Sequence, residues 1–202
     1  VIYDEDWGKF RAWYMCNERP RVQPKYGVAY AESSNGLQWT KPMFSKIPFR
    51  DFKKHNILMP NGHGVCVLKT PWDPDPGRLY KAAGGDLYAV SPDRIHWTCH
   101  DWHPAVGKND TGPSMVWWKG QYLAYLRHQI YVDGWRTLIR GIGVSVTKDF
   151  KRWTKKRLIL EADEADGSPW GQPHALAVTA YGDVLVGLLP MMDIIPEKGN
   201  NI

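Results

Sequence analysis

Cysteine is scarce in this chain. Cys16, Cys66 and Cys99 are the three among 202 residues, with no CxxC pair and no metal-ligand spacing. An odd number excludes a complete disulfide framework, although it does not fix the compartment; a secreted or periplasmic location is expected. No apolar run reaches the ~18 residues of a membrane span, and no signal peptide is visible. No stretch of useful length carries a helical period. These absences leave an all-β chain, with no metal, no cofactor and no membrane partner expected.

Charge narrows the field further. The net charge is +5, but Lys and Arg are scattered along the chain. The densest basic run, Lys148, Lys151, Arg152, Lys155, Lys156 and Arg157, surrounds a hairpin and reads as a solvated rim. Nucleic acid is therefore not the expected partner. Aromatic residues are abundant, with 11 Trp and 10 Tyr, more than a small core uses. Flat Trp and Tyr faces stack on sugars, but repeated Trp residues also serve as packing between repeats.

One sentence occurs three times. Ser33, Asn35, Leu37, Trp39 and Thr40 match Ser91, Asp93, Ile95, Trp97 and Thr98, and then Thr147, Asp149, Lys151, Trp153 and Thr154. A Ser or Thr stands six residues before each Trp, and Asp or Asn four before. A repeat period of about 50 residues with four strands per unit is the signature of propeller blades. The first unit reads as strands within Val1–Met15, Tyr26–Ala31 and Leu37–Lys41, with Asn35-Gly36 as a hairpin turn. Gly64 opens the second, with strands at Val65–Leu68, Leu79–Ala83, Leu87–Val90 and Trp97–His100. The third has Met115–Trp118, a Lys119-Gly120 turn, Gln121–Arg127, Ile139–Val146 and Trp153–Ile159. The fourth is begun by Ala175–Ala180 and Val184–Leu189. The blades are thus expected near 1–45, 63–101, 114–160 and 174–202, as one domain truncated at both ends. Further chain, or another copy, is expected to complete the ring.

In a blade, the residues before strand one and after strand two face the central cavity. They are Asn61, Gly62 and His63 in the second unit, and Asn109, Asp110 and Thr111 in the third, with Arg127 and His128 across the hairpin. In the fourth they are Gln172, Pro173 and His174, and in the first Asn17, Glu18 and Arg19. Glycoside cleavage needs one group to protonate the leaving oxygen and another to activate water or attack the sugar. Asp110 is the candidate carboxylate, or else it caps backbone amides in an Asn-Asp-Thr-Gly turn. His174 is a candidate acid, or a hydrogen-bonded histidine or a ligand for water or metal. His63 has the same two readings. Arg127 suits a substrate carboxylate or hydroxyl, or pairing with Asp110. Glu18 is a further acid or an exposed loop residue. Asn61, Gln172 and Trp170 complete the expected substrate contacts.

The blade-closing Ser-x-Asp-x-x-x-Trp pattern resembles that of the five-bladed β-propeller glycosidases of glycoside hydrolase families 32, 43, 62, 68 and 117. Asp110-Thr111 followed by Val116-Trp117-Trp118, Gly120, Tyr122, Tyr125 and Arg127 looks closest to uncharacterised bacterial members. The resemblance implies a funnel-shaped pocket with acidic groups at the starts of first strands. Asp110 matches one of these, most like the residue that modulates a neighbour's pKa. The equivalent position in the second unit holds Asn61 and His63, and in the fourth Gln172 and His174; family 117 is thought to use a histidine as acid. The expected activity is cleavage of a glycosidic bond in an oligo- or polysaccharide. The alternatives are a non-catalytic sugar-binding propeller and a purely structural repeat scaffold.

Overall fold

A computed structural model describes residues 1–17, 26–60, 62–85, 87–101, 106–107, 111–132, 137–166 and 171–193. Among them the regular structure is β throughout, apart from three single 3-10 turns. The chain falls into two compact units, Val1–Trp102 and His103–Ile202.

The first unit holds two four-stranded antiparallel sheets whose strands follow chain order, the meander of a propeller blade. Sheet 1 contains β1 (Ile2–Asp4), β2 (Lys9–Asn17), β3 (Tyr26–Ser33) and β4 (Ile57–Pro60). Sheet 2 contains β5 (Val65–Lys69), β6 (Tyr80–Gly84), β7 (Leu87–Ser91) and β8 (Thr98–Asp101). Alternating side chains from the two sheets build one core: Trp13, Val28, Tyr30 and Met59 from sheet 1, Val67, Tyr80, Ala82 and Leu87 from sheet 2. Trp97 packs edge-on against Trp13 at 6.2 Å between ring centroids, so this repeated Trp is packing between sheets.

Beneath that core lies a charged cluster. Arg11 donates from Nε to Asp4 and from Nη1 to Tyr30, and Lys69 donates to Asp4 and Asp6. Tyr80 also donates to Asp4. Elsewhere in the unit, Lys81 is fully buried and gives its three protons to Thr70 Oγ1, Arg78 O and Asp73 Oδ2.

The second unit holds sheet 3: β9 (Ser114–Trp118), β10 (Gln121–Val132), β11 (Thr137–Thr147) and β12 (Arg157–Glu161). Lys119 and Gly120 both have positive φ, 47° and 82°, as a two-residue primed turn between β9 and β10 requires. A begun fourth sheet follows. β13 (Gly171–Pro173) pairs with β16 (Met191–Asp193), and β14 (Ala177–Tyr181) with β15 (Val184–Leu188). The bond from His174 N to Pro190 O joins the two pairs into one long hairpin. The chain is therefore all-β and built of propeller blades, three complete and one begun.

The three repeated sentences form one turn. Ser33, Ser91 and Thr147 each accept the backbone N–H two residues on. Asn35, Asp93 and Asp149 each accept the N–H groups two and three residues on. The residue after each has a left-handed backbone: Gly36, Arg94 and Phe150, at φ 75°, 71° and 57°. Short polar side chains thereby satisfy the amides that leave the sheet.

The fourth strand of sheet 1 differs from expectation. Leu37–Lys41 does not form it; that segment makes one isolated bridge, Glu32 to Thr40. Asn35 already holds the amides of Leu37 and Gln38, and the Leu37 side chain is 85% exposed, so no ladder continues. The strand comes instead from Ile57–Pro60, inside the stretch expected as a loop between blades. Asn35-Gly36 is correspondingly not a two-residue hairpin, since Gly36 alone of the pair has positive φ.

Candidate functional site

The end of sheet 3 where β10 and β11 run past β9 gathers the polar side chains of the second unit. β9 stops pairing at Ser114, opposite Tyr125, while β10 and β11 stay paired seven residues further, to Val132 and Thr137. Period-two alternation puts Tyr125, Arg127 and Gln129 on one face. The register places Arg140 opposite Gln129 and Ile142 opposite Arg127, on that same face.

The hairpin of the begun sheet lies along this face. Ser114 Oγ accepts from Val178 N at 2.8 Å and fixes β14 beside β9. Gln172, 2% exposed, accepts Arg140 N on its Oε1 at 2.9 Å, which ties β13 to β11. Arg127, 6% exposed, places Nη2 3.3 Å from His174 Nε2. A guanidinium only donates, so His174 Nε2 is the acceptor and the ring is a neutral imidazole with its proton on Nδ1. Arg140 Nη1 lies 3.6 Å from Met192 Sδ, and Arg140 Nε is buried without a hydrogen-bond partner.

The opposite face at this end carries His128 and Lys156. Lys156 Nζ donates to Arg127 O at 2.9 Å. A β-bulge at Ile142/Gly143 shifts the β11–β12 register there. A Cβ on Gly143 would stand 2.8 Å from Lys156 Cγ and 3.0 Å from His128 Nδ1, so glycine makes room for both. Burial, then the Lys156 charge, pushes His128 below the ordinary histidine range, with Glu161 opposing. His128 Nδ1 is buried and unpartnered. Burial raises the Tyr125 hydroxyl above its ordinary value.

Three expected site residues, Arg127, Gln172 and His174, are thus brought together. His63 belongs to the first unit, where its ring meets Tyr26 edge-on at 4.7 Å and its Nδ1 is buried without a hydrogen-bond partner. Its backbone packs on Gly85, whose φ of +52° keeps that turn open to it. Glu18, Asn61, Asp110 and Trp170 lie outside the described residues. Sequence reasoning missed Arg140 and Met192 as members of this end of the sheet. The signal for Arg140 is the antiparallel β10–β11 register, which places it beside Arg127 only once the pairing is known. Among the described residues no group of His, Cys, Asp and Glu is arranged to hold a metal ion.

No protein-family model and no curated protein matches this chain. Solved structures do. The Bombyx mori GH32 beta-fructofuranosidase BmSUC1 superposes with a TM-score of 0.60 at 12% identity, covering 96% of this chain and 41% of that one. An aspartate-to-alanine mutant of the same enzyme in complex with sucrose gives a TM-score of 0.55 at 15% identity, with the same coverage. This chain therefore spans less than half the length of those structures. At such low identity the likeness is one of fold.

Proposed function

We propose that this chain is part of a glycoside hydrolase-like five-bladed β-propeller that cleaves a glycosidic bond of an oligo- or polysaccharide in a central pocket. The observation that supports the reading best is the convergence of Arg127, Gln172 and His174 from separate segments at one end of sheet 3, on a fold that a GH32 enzyme also uses. Hydrolysis needs a proton donor and a group that activates water or attacks the sugar. Asp110 is the proposed carboxylate and His174 the proposed proton carrier. Arg127 engages Nε2 of the neutral His174 ring, so that nitrogen takes up or delivers a proton only after the ring leaves the guanidinium. Arg127, Gln172, His63, Asn61, Glu18 and Trp170 are the proposed substrate contacts. The ring is completed, in this reading, by further chain or by another copy.

The Arg127–His174 bond also favours a second reading, a propeller that binds glycans without cleaving them. An imidazole that accepts from a guanidinium has no proton to give at that nitrogen.

The test is release of reducing sugar from sucrose, fructo-oligosaccharides and a panel of aryl-glycosides. Asp110→Asn is expected to lower kcat by about 10²–10⁴, the usual worth of a positioned acid or base. Full hydrolysis by that variant removes Asp110 from the mechanism. Binding without turnover by the parent chain selects the second reading, and neither binding nor turnover rejects both.

A further inference from the structure

We propose that the Arg127–Arg140 end of sheet 3 binds the acidic group of an anionic sugar, so that the glycan taken by this chain carries carboxylates or sulfates. The inference rests on the glycan reading above and names its substrate class.

Arg127 on β10 and Arg140 on β11 share one face and are diagonal neighbours across the ladder, a separation of about 7–8 Å between their Cα atoms. That spacing lets two guanidinium forks reach a single anion. Arg140 is the telling member. The acceptor beside its Nη1 is the thioether of Met192, a weak one, and its Nε is buried with no partner. No carboxylate lies against it among the described residues. A half-buried cation with this little compensation is completed by an anion that the described residues do not supply.

The surroundings point the same way. Lys156 adds a second positive charge behind Arg127 by bonding its carbonyl, and depresses His128. His174 is neutral and brings no negative charge. The carboxylate that opposes the lowering of His128 is the exposed Glu161. A planar guanidinium pairs with carboxylate or sulfate oxygens in a two-point fork, a geometry that a neutral hydroxyl cannot return.

Calorimetric titration of the 202-residue chain with an oligogalacturonate, a sulfated oligosaccharide and a fructo-oligosaccharide of equal length tests this. At least one anionic ligand is expected to bind about tenfold or more tightly than the neutral one, the worth of one charge-assisted pair. The two anionic arms separate carboxylate from sulfate. Arg140→Gln is expected to remove that advantage while leaving the neutral ligand unaffected, and Arg140→Lys to restore only part of it, since an ammonium lacks the fork. If Arg140→Gln proves unfolded by circular dichroism, Arg140→Lys decides: full anionic affinity in it overturns the assignment. Equal affinity for neutral and anionic ligands, or an Arg140→Gln chain that keeps the anionic preference, overturns the inference and leaves the glycan reading standing. No binding of any of the three overturns both.

Discussion

Arg11 donates from Nε to Asp4 Oδ2 at 2.5 Å, and the two side chains are 1% and 0% exposed. They are diagonal neighbours on β1 and β2, two residues apart in the register, and lie under the core between sheets 1 and 2. Without Asp4, the buried Arg11 is left with Tyr30 and a longer 3.2 Å contact to the partly exposed Glu32. Asp4→Asn is expected to cost about 3–5 kcal/mol, the range for breaking a buried pair. The double variant Asp4→Leu/Arg11→Met should cost less, because it leaves no orphaned charge. Urea unfolding followed by Trp fluorescence compares them; equal losses in the two would mean that the pair itself contributes little.

The same cluster makes the first unit acid-sensitive. Burial alone would raise the Asp4 carboxyl, but the hydrogen bonds and charges of Lys69 and Arg11 outweigh it and hold the group below its ordinary 3.8. Lys9 does the same for Glu32. Asp93 is lowered to about 2: burial opposes the shift, and bonds from the His96 and Ile95 amides and the His96 ring outweigh it. A depressed carboxyl stabilises the fold fully above its unfolded-state pKa, and that stability is lost as pH falls through the folded one. Stability should therefore hold from neutral pH to about 4 and drop between about 4 and 2. Asp4→Asn should flatten that drop, as read from unfolding midpoints across the range.

Gly84 faces the backbone of Gly64, and a Cβ there would stand 2.3 Å from Gly64 O. Because that atom is main chain, it cannot swing aside. Gly84→Ala is expected to lose about 1–3 kcal/mol, the usual cost of overpacking. Gly120→Ala meets no atom within 4 Å and suffers only from its φ of +82°, a loss of about 1–2 kcal/mol. Thermal unfolding should rank Gly84→Ala as the worse of the two, and the reverse order would contradict the packing argument.

The Arg127–His174 contact fixes a tautomer. Nitrogen-15 shifts of the His174 ring should show Nδ1 protonated and Nε2 bare at neutral pH. Arg127→Met removes the donor, and the ring should relax toward the mixture of tautomers a free imidazole shows. A parent spectrum with Nε2 protonated would contradict the hydrogen bond as described.

The blade turns were legible because everything that makes them lies within seven residues. Ser91 and Asp93 bond amides of their own turn, and so do Ser33 with Asn35 and Thr147 with Asp149. The Lys119-Gly120 turn was legible for the same reason. Short-range side-chain-to-backbone bonds need no distant partner, so residue type and spacing suffice. Alternation then announced most strands, including the hairpin of β14 and β15.

What the linear order could not decide is which segment closes a sheet and which side chains meet across it. Residues 37–41 carry the better strand composition near the first turn, yet Ile57–Pro60 takes the place beside β3. The amides of Leu37 and Gln38 are spent on Asn35, and Ile57 and Met59 bring apolar side chains to two cores. The site follows the same rule. Arg127 and His174 were visible as candidates from their places in the repeat. The 3.3 Å between them, and the Arg140 that joins their face, depend on the β10–β11 register and on where β13 crosses it. Pairing over such distances is settled by packing and by the satisfaction of buried polar groups, and neither is written in the local sequence.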